Sequence, residues 1–239
     1  MICGLYVVVV GVRSQPDITW QPSLFGDEEP AIDRDFTNLQ RIQLDADSWV
    51  DHAPGWLSSS DRLFHDIVET REWAQRSRRM YDREVLEPRL TSPWFLASGE
   101  PLQPDIVEEM RAVLSDRYEV EFDSVGFNLY RDGQDSVAWH GDRIRKEIEK
   151  PIVVLVSAGE PRRFLLRPKG GGPSTTFKLG DGDLLVTGGL TQRTWEHSVP
   201  KVKKAGPRIS LAFRHGMDPK AYAGKKVHPL GSGPPSGDG

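Results

Sequence analysis

The pattern of apolar positions changes its period near residue 122. Upstream, Leu63, Phe64, Ile67 and Val68 recur at helical spacing behind Ser60 and Asp61. The spacing predicts a helix from Ser60, as N-cap, to about Gln75. Pro104 opens a second helix, with Ile106, Val107, Met110, Val113 and Leu114 on one face. Residues 41–44 form a short strand-like run. Downstream the runs shorten and become β-rich, at 125–130, 137–139, 152–157, 163–166, 175–179, 184–187, 194–199 and 209–214. Breaks such as Asp132-Gly133, Gly180-Asp181-Gly182 and Gly206-Pro207 separate them. Strands of this length and spacing predict a sandwich or jelly roll.

The ends of the chain lack this order. Residues 13–38 are rich in Pro, Asp and Glu and read as an irregular arm. The tail from His228, with its Gly, Pro and Ser, reads as flexible. Residues 5–12 are apolar, but no Lys or Arg precedes them and no Ala-x-Ala-like site follows. They read as an N-terminal strand or a mis-called start rather than a secretion signal. No apolar run approaches the ~20 residues that span a bilayer, so no membrane partner is expected. Cys3 is the single cysteine, which excludes an internal disulfide and fits a reducing, cytoplasmic setting.

Composition bounds the answer further. The chain has 239 residues, 37% hydrophobic and 28% charged, which suits one folded domain with a sizeable core and excludes global disorder. Residues 1–139 carry 13 Lys/Arg against 26 Asp/Glu, whereas residues 140–215 carry 15 against 7. A chain-wide nucleic-acid coat is thereby excluded, and a local basic face is not.

The chemistry-bearing residues fall in the β-rich half. His140 and Asp142 stand two apart at a strand end, where alternate residues face one side. His197 follows in a second strand-like run. Two histidines and one carboxylate on one face of a metal form the facial triad of non-heme Fe(II) oxygenases, which leaves positions open for co-substrate and oxygen. Arg208 and Arg214 share a face of the last strand, about 20 Å apart if it were flat and extended. Twist or a bulge would have to bring them together around a small dianion. Asn128 and Tyr130 share a face of the first strand, and each offers a hydrogen-bond donor.

Together these residues resemble the AlkB family of Fe(II)- and 2-oxoglutarate-dependent dioxygenases. The likeness covers residues 122–214. It is carried by Asn128-x-Tyr130, His140-x-Asp142, His197, Arg208-x5-Arg214, and the stretch from Gln192 to Pro200. A looser likeness covers Arg78-Arg79-Met80-Tyr81-Asp82 and Glu87-Pro88-Arg89-Leu90-Thr91, where the family carries its nucleotide-recognition lid. The resemblance implies an α+β protein: a double-stranded β-helix (jelly roll) core with an N-terminal, helix-containing lid and support region. It divides the chain into an arm (1–40), an α/β support and lid (41–121), the jelly-roll core (122–216) and a flexible tail (217–239). Residues 41–216 would form one structural domain of a monomer.

What the resemblance implies for chemistry is specific. His140, Asp142 and His197 would hold Fe(II), with 2-oxoglutarate and O2 as co-substrates. Arg208 and Arg214 would bind the co-substrate carboxylates, with Asn128 and Tyr130 adding hydrogen bonds. The product would be a dealkylated base in DNA, or RNA, with release of succinate, CO2 and formaldehyde. The target atom lies on a base-pairing edge, so the substrate must be single-stranded or flipped out. Tyr81, Arg89, Trp94 and Arg143 are the candidate substrate-binding residues. The family's acidic residue after the His-x-Asp aspartate is missing, for Arg143-Ile144-Arg145 follow Asp142 and Glu147 is the first carboxylate. That departure puts the cationic bases 1-methyladenine and 3-methylcytosine in question as substrates. Rival readings are the same oxygenase acting on a protein or small molecule, a catalytically inactive jelly-roll binding module, and a zinc hydrolase.

Overall fold

Alternation and turn chemistry divide the chain into fifteen strands and three helices among the described residues, which are 16, 18, 28–80, 83–217, 227, 228 and 230 of a computed structural model. In order they are β1 (Ala31–Ile32), β2 (Gln40–Gln43), β3 (Ser48–Ala53), β4 (Leu57–Ser58), α1 (Ser60–Thr70), β5 (Ala74–Met80) and β6 (Arg83–Phe95). After a 3-10 turn (Leu96–Ser98) come α2 (Asp105–Tyr118), β7 (Ser124–Tyr130), β8 (Val137–His140), β9 (Val153–Gly159), β10 (Arg162–Pro168), β11 (Thr175–Leu179) and β12 (Leu184–Gly189). The chain continues through α3 (Thr191–Thr194), β13 (Trp195–Val199), β14 (Arg208–Arg214) and β15 (Val227–His228). The apolar run 5–12, Cys3 and Tyr81 lie outside the described residues. No described helix is long and apolar enough to cross a membrane.

Two antiparallel sheets carry the site. The larger has nine strands in the order β15-β5-β6-β7-β14-β9-β12-β3-β2, and the smaller has four in the order β11-β10-β13-β8. The predicted jelly roll is therefore present. β5 and β6, expected as the lid, and β2 and β3, expected as the support, extend the same sheet as β7, β9, β12 and β14.

Strict alternation gives the large sheet two buried faces. Val125, Phe127 and Leu129 of β7, with Ile209, Leu211 and Phe213 of β14, pack under α1 and α2 against Leu63, Phe64, Ile67, Val107, Met110 and Leu114. Tyr130, Val153, Leu155 and Ala212 point the other way and meet Phe164, Leu166, Phe177 and Val199 of the smaller sheet. β8 and β13 of this second layer carry His140 and His197.

Three local expectations need correction. Ser60 is the first residue of α1 rather than its cap; Ser59 precedes it with φ 48° and makes no side-chain capping bond. The helix ends at Thr70 rather than near 75, because Trp73 is pulled into the core and its Nε1 donates to Val68 O at 3.2 Å. The next residues then pair as β5, so tertiary packing overrides local propensity. Finally, Val227 and His228 of the tail add a short strand to the β5 edge, opposite Arg76 and Gln75. His228 Nε2 sits 3.0 Å from Ser77 Oγ.

Candidate metal centre and co-substrate face

Strand pairing explains how residues 57 positions apart meet. His197 of β13 lies directly opposite His140 of β8, and the ring centroids are 4.3 Å apart. The register then shifts, so that Val199 faces Val137 rather than Ala138. This bulge lets Val137 reach the core while His140, three residues on, also points inward. Bulges of this kind re-aim side chains beside functional sites. Asp142 follows just beyond β8. One ligand atom from each of His140, Asp142 and His197 lies within 4.8 Å of the others.

Each side chain is prepared for a cation. His140 Nδ1 donates to Ala138 O at 2.9 Å, because a carbonyl can only accept. Nε2 is therefore left with its lone pair. Asp142 Oδ1 accepts a hydrogen bond from Arg214 Nε at 2.8 Å, whereas Oδ2 is buried without a hydrogen-bond partner. Burial, then the neighbouring His140 and the Arg214 and Arg89 cations, push His197 down to about 3. Burial, followed by Arg89 and Arg214, also lowers His140. Burial alone would raise Asp142, but Arg214 and the two imidazoles override it and hold the carboxyl at about 2. Neutral imidazoles beside an ionised carboxylate are what a divalent metal requires.

The face expected to take the co-substrate is built by β7 and β14. Their register places Arg208 opposite Tyr130 and Ser210 opposite Asn128. β14 keeps regular register with both β7 and β9, so the two arginines do not converge through a bulge. Arg214 stands at the metal end of the face and Arg208 at the far end. Arg208 is 1% exposed and donates from Nη2 to Ser157 Oγ at 2.8 Å, while its Nε and Nη1 are buried without partners. Burial pulls its guanidinium down to about 10, still cationic at neutral pH. Tyr130 packs beneath Arg208 and Arg162, 5.5 and 5.7 Å from the ring centroid. Asn128 reaches the same face but directs its amide nitrogen to Gly126 O and Ser210 O, so its expected donor is engaged by the backbone.

The substrate-binding candidates separate. Arg89 lies close enough for its charge to lower both imidazoles, and its Nη2 is 3.3 Å from Glu87 Oε2. Arg143 is exposed beside Asp142. Trp94 is a correction: it pairs with Val125, so it faces the helices, is 5% exposed in that core and donates from Nε1 to Glu100 O. It cannot stack on a base. Arg76 of β5 is 7% exposed and donates from Nε to Thr91 Oγ1 at 3.1 Å. The sequence reading assigned no role to Ser157 or to Gln192, which accepts the Asp142 N–H. A lone polar residue in an apolar strand and one residue of a short turn carry no pattern of their own.

The chain is similar to several known proteins. The family model described as the 2OG-Fe(II) oxygenase superfamily matches residues 54–214. The alpha-ketoglutarate-dependent dioxygenase alkB homolog 3 of Bos taurus is 31% identical over 183 residues, which cover 67% of this chain and 64% of that protein. The DNA oxidative demethylase ALKBH2 of Arabidopsis thaliana is 32% identical over 181 residues, covering 59% of this chain and 57% of that protein. The matches thus span less than two thirds of these relatives' length. A solved structure, the 2OG-Fe(II) oxygenase family oxidoreductase of Burkholderia pseudomallei, aligns with a TM-score of 0.48 and 14% identity over 69% of this chain and 84% of that one.

Proposed function

We propose that this chain, which belongs to the 2OG-Fe(II) oxygenase superfamily, removes N-linked alkyl groups from nucleic-acid bases by oxidation, acting on single-stranded or flipped-out DNA, or on RNA. The observation that carries this reading is the gathering of His140, Asp142 and His197, with Asp142 Oδ2 buried and unpartnered, at one end of a face that also holds Arg214 and Arg208. The alkB homolog 3 and ALKBH2 proteins to which the chain is similar support the choice of substrate.

The donor set fits the metal the family uses. His140 Nε2, Asp142 Oδ2 and His197 Nε2 would hold Fe(II), and two histidines with one carboxylate suit that ion. Bound Fe(II) with 2-oxoglutarate and O2 supplies the oxidation, in which the co-substrate leaves as succinate and CO2 and one oxygen atom enters the alkyl C–H bond. The chain's own residues place and shield the reactants. Ala138 O fixes the His140 ring, and Phe164 stacks on His197 with centroids 5.1 Å apart. Arg214 and Arg208 bind anionic oxygen at the two ends of the co-substrate face. The unpartnered Nε and Nη1 of Arg208 are the donors a remote carboxylate would take up. Arg89 and Arg143 flank the substrate side. A base hydroxymethylated at nitrogen then loses formaldehyde.

The test is direct. Fe(II) and 2-oxoglutarate added without oxygen should give a weak visible charge-transfer band. Methylated single-stranded DNA in air should yield succinate and formaldehyde. Succinate no higher than in a His140→Ala control would overturn the proposal.

A further inference from the structure

Two of the three metal-site residues are held by sheet pairing. His140 ends β8, and His197 faces it from β13. Asp142 lies outside both strands, so its backbone has no ladder to fix it. Its N–H instead donates to Gln192 Oε1 at 3.1 Å. Gln192 is 3% exposed, and its Nε2 donates to Thr187 Oγ1 at 2.9 Å. Both ends of the carboxamide are therefore committed, and the acceptor cannot turn away without breaking a buried bond.

The next residue extends the grip. Arg193 donates from Nη1 to Ile144 O at 3.3 Å, and from Nη2 to Arg145 O at 2.7 Å and Ile148 O at 2.5 Å. These carbonyls lie in the segment that follows Asp142, at positions 144, 145 and 148. Lys169 Nζ, from the end of β10, donates to Gln192 O at 3.3 Å and Arg193 O at 2.8 Å. Both residues belong to α3, which runs straight into the strand that carries His197. One short turn thus holds the aspartate loop on both sides and is covalently continuous with the distal histidine.

We infer that Gln192 and Arg193 are positioning residues for Asp142, setting where its ligand oxygen stands relative to His197. The inference rests on the metal-centre reading above. Arg214 holds Oδ1 from the side-chain end, and α3 holds the backbone end. Groups that orient a metal ligand typically change metal affinity by about 10–100-fold when removed.

The full-length chain tests this with Mn(II), which binds without oxygen chemistry. Gln192→Leu should melt within a few degrees of the parent, bind Mn(II) at least ~10-fold more weakly, and exchange the amide hydrogens of residues 141–148 faster in the metal-free state. Gln192→Glu, which keeps an acceptor for the Asp142 N–H, should recover most of that affinity. Gln192→Leu that binds Mn(II) like the parent would overturn the inference. Should Gln192→Leu not fold, Thr187→Val, which leaves the glutamine but frees its amide, takes its place. Weaker Mn(II) binding then supports the tether and unchanged binding overturns it. A parent protein that binds no Mn(II) sinks the metal-centre reading itself. In that case exchange at 141–148 still decides the tether, with faster exchange supporting it and unchanged exchange refuting it.

Discussion

Arg214 Nε donates to Asp142 Oδ1 at 2.8 Å, while Oδ2 of the same carboxylate is buried and unpartnered. One arginine therefore orients Asp142 and, in the proposed function, also supplies the cation at the metal end of the co-substrate face. Loss of a charge-assisted bond costs roughly 1.5–3 kcal/mol, or about 10–100-fold in binding. Arg214→Met should weaken both Mn(II) and 2-oxoglutarate binding by that order. Arg214→Lys should restore charge but not the directed geometry. Calorimetric titration with Mn(II), then with 2-oxoglutarate, separates the two effects. Unchanged Mn(II) affinity in Arg214→Met would refute the dual role.

Arg208 should behave differently. It stands at the far end of the face, is held by Ser157, and keeps two buried nitrogens without partners. Arg208→Met preserves much of the volume and removes the cation. The expected outcome is a KM for 2-oxoglutarate raised about 10–100-fold with Mn(II) affinity unchanged. An equal loss of both would place Arg208 in the metal centre instead.

The depressed histidine gives a pH signature. His197 is held at about 3, whereas an unfolded histidine titrates near ~6.5. Between these values the unfolded chain binds more protons, so stability is lost as the pH falls through that window. His140 adds in the same direction, and Asp142, held at about 2, adds below about 4. The denaturant midpoint of the metal-free protein should drop steadily between pH 6.5 and 3. His197→Gln should flatten part of that slope, and an unaltered slope would show that His197 is not buried neutral.

Which parts were legible follows from what a side-chain pattern can encode. β7 and β14 alternate between two buried faces, so their period and the shared face of Arg208 and Arg214 could be read directly. The i, i+2 spacing of His140 and Asp142 was equally plain. The bulge in β8, by contrast, leaves no mark in Val137-Ala138-Trp139-His140, yet it sets the direction of His140. The run Pro93-Trp94-Phe95 does not state its parity. Only pairing with β7 reveals that Trp94 faces the helices. The buried Arg76 bonds to Thr91, fifteen residues away, a pairing that no local pattern encodes.

Trp94 accordingly predicts a stability effect rather than a recognition effect. Trp94→Ala should cost about 3–5 kcal/mol through the cavity it leaves, together with loss of the Glu100 contact. Its KM for a methylated oligonucleotide, measured well below the melting transition, should match the parent. A raised KM with unchanged melting would return Trp94 to the substrate side.

Arg143 offers the sharpest test of the proposed nucleic-acid substrate. It is exposed directly after Asp142, where Arg145, Lys146 and Lys150 are exposed as well. An exposed cation next to Asp142 suits a phosphate better than a base edge, because phosphate contacts need charge more than fixed geometry. Arg143→Gln should then weaken binding of single-stranded DNA uniformly across base sequences. The slope of log K against log salt should flatten by about 0.7, the contribution of one single-strand phosphate contact. If Arg143 instead reads the base, the slope stays constant and the preference among methylated bases shifts. A salt series with oligonucleotides carrying one cationic or one neutral methylated base distinguishes these outcomes in a single experiment.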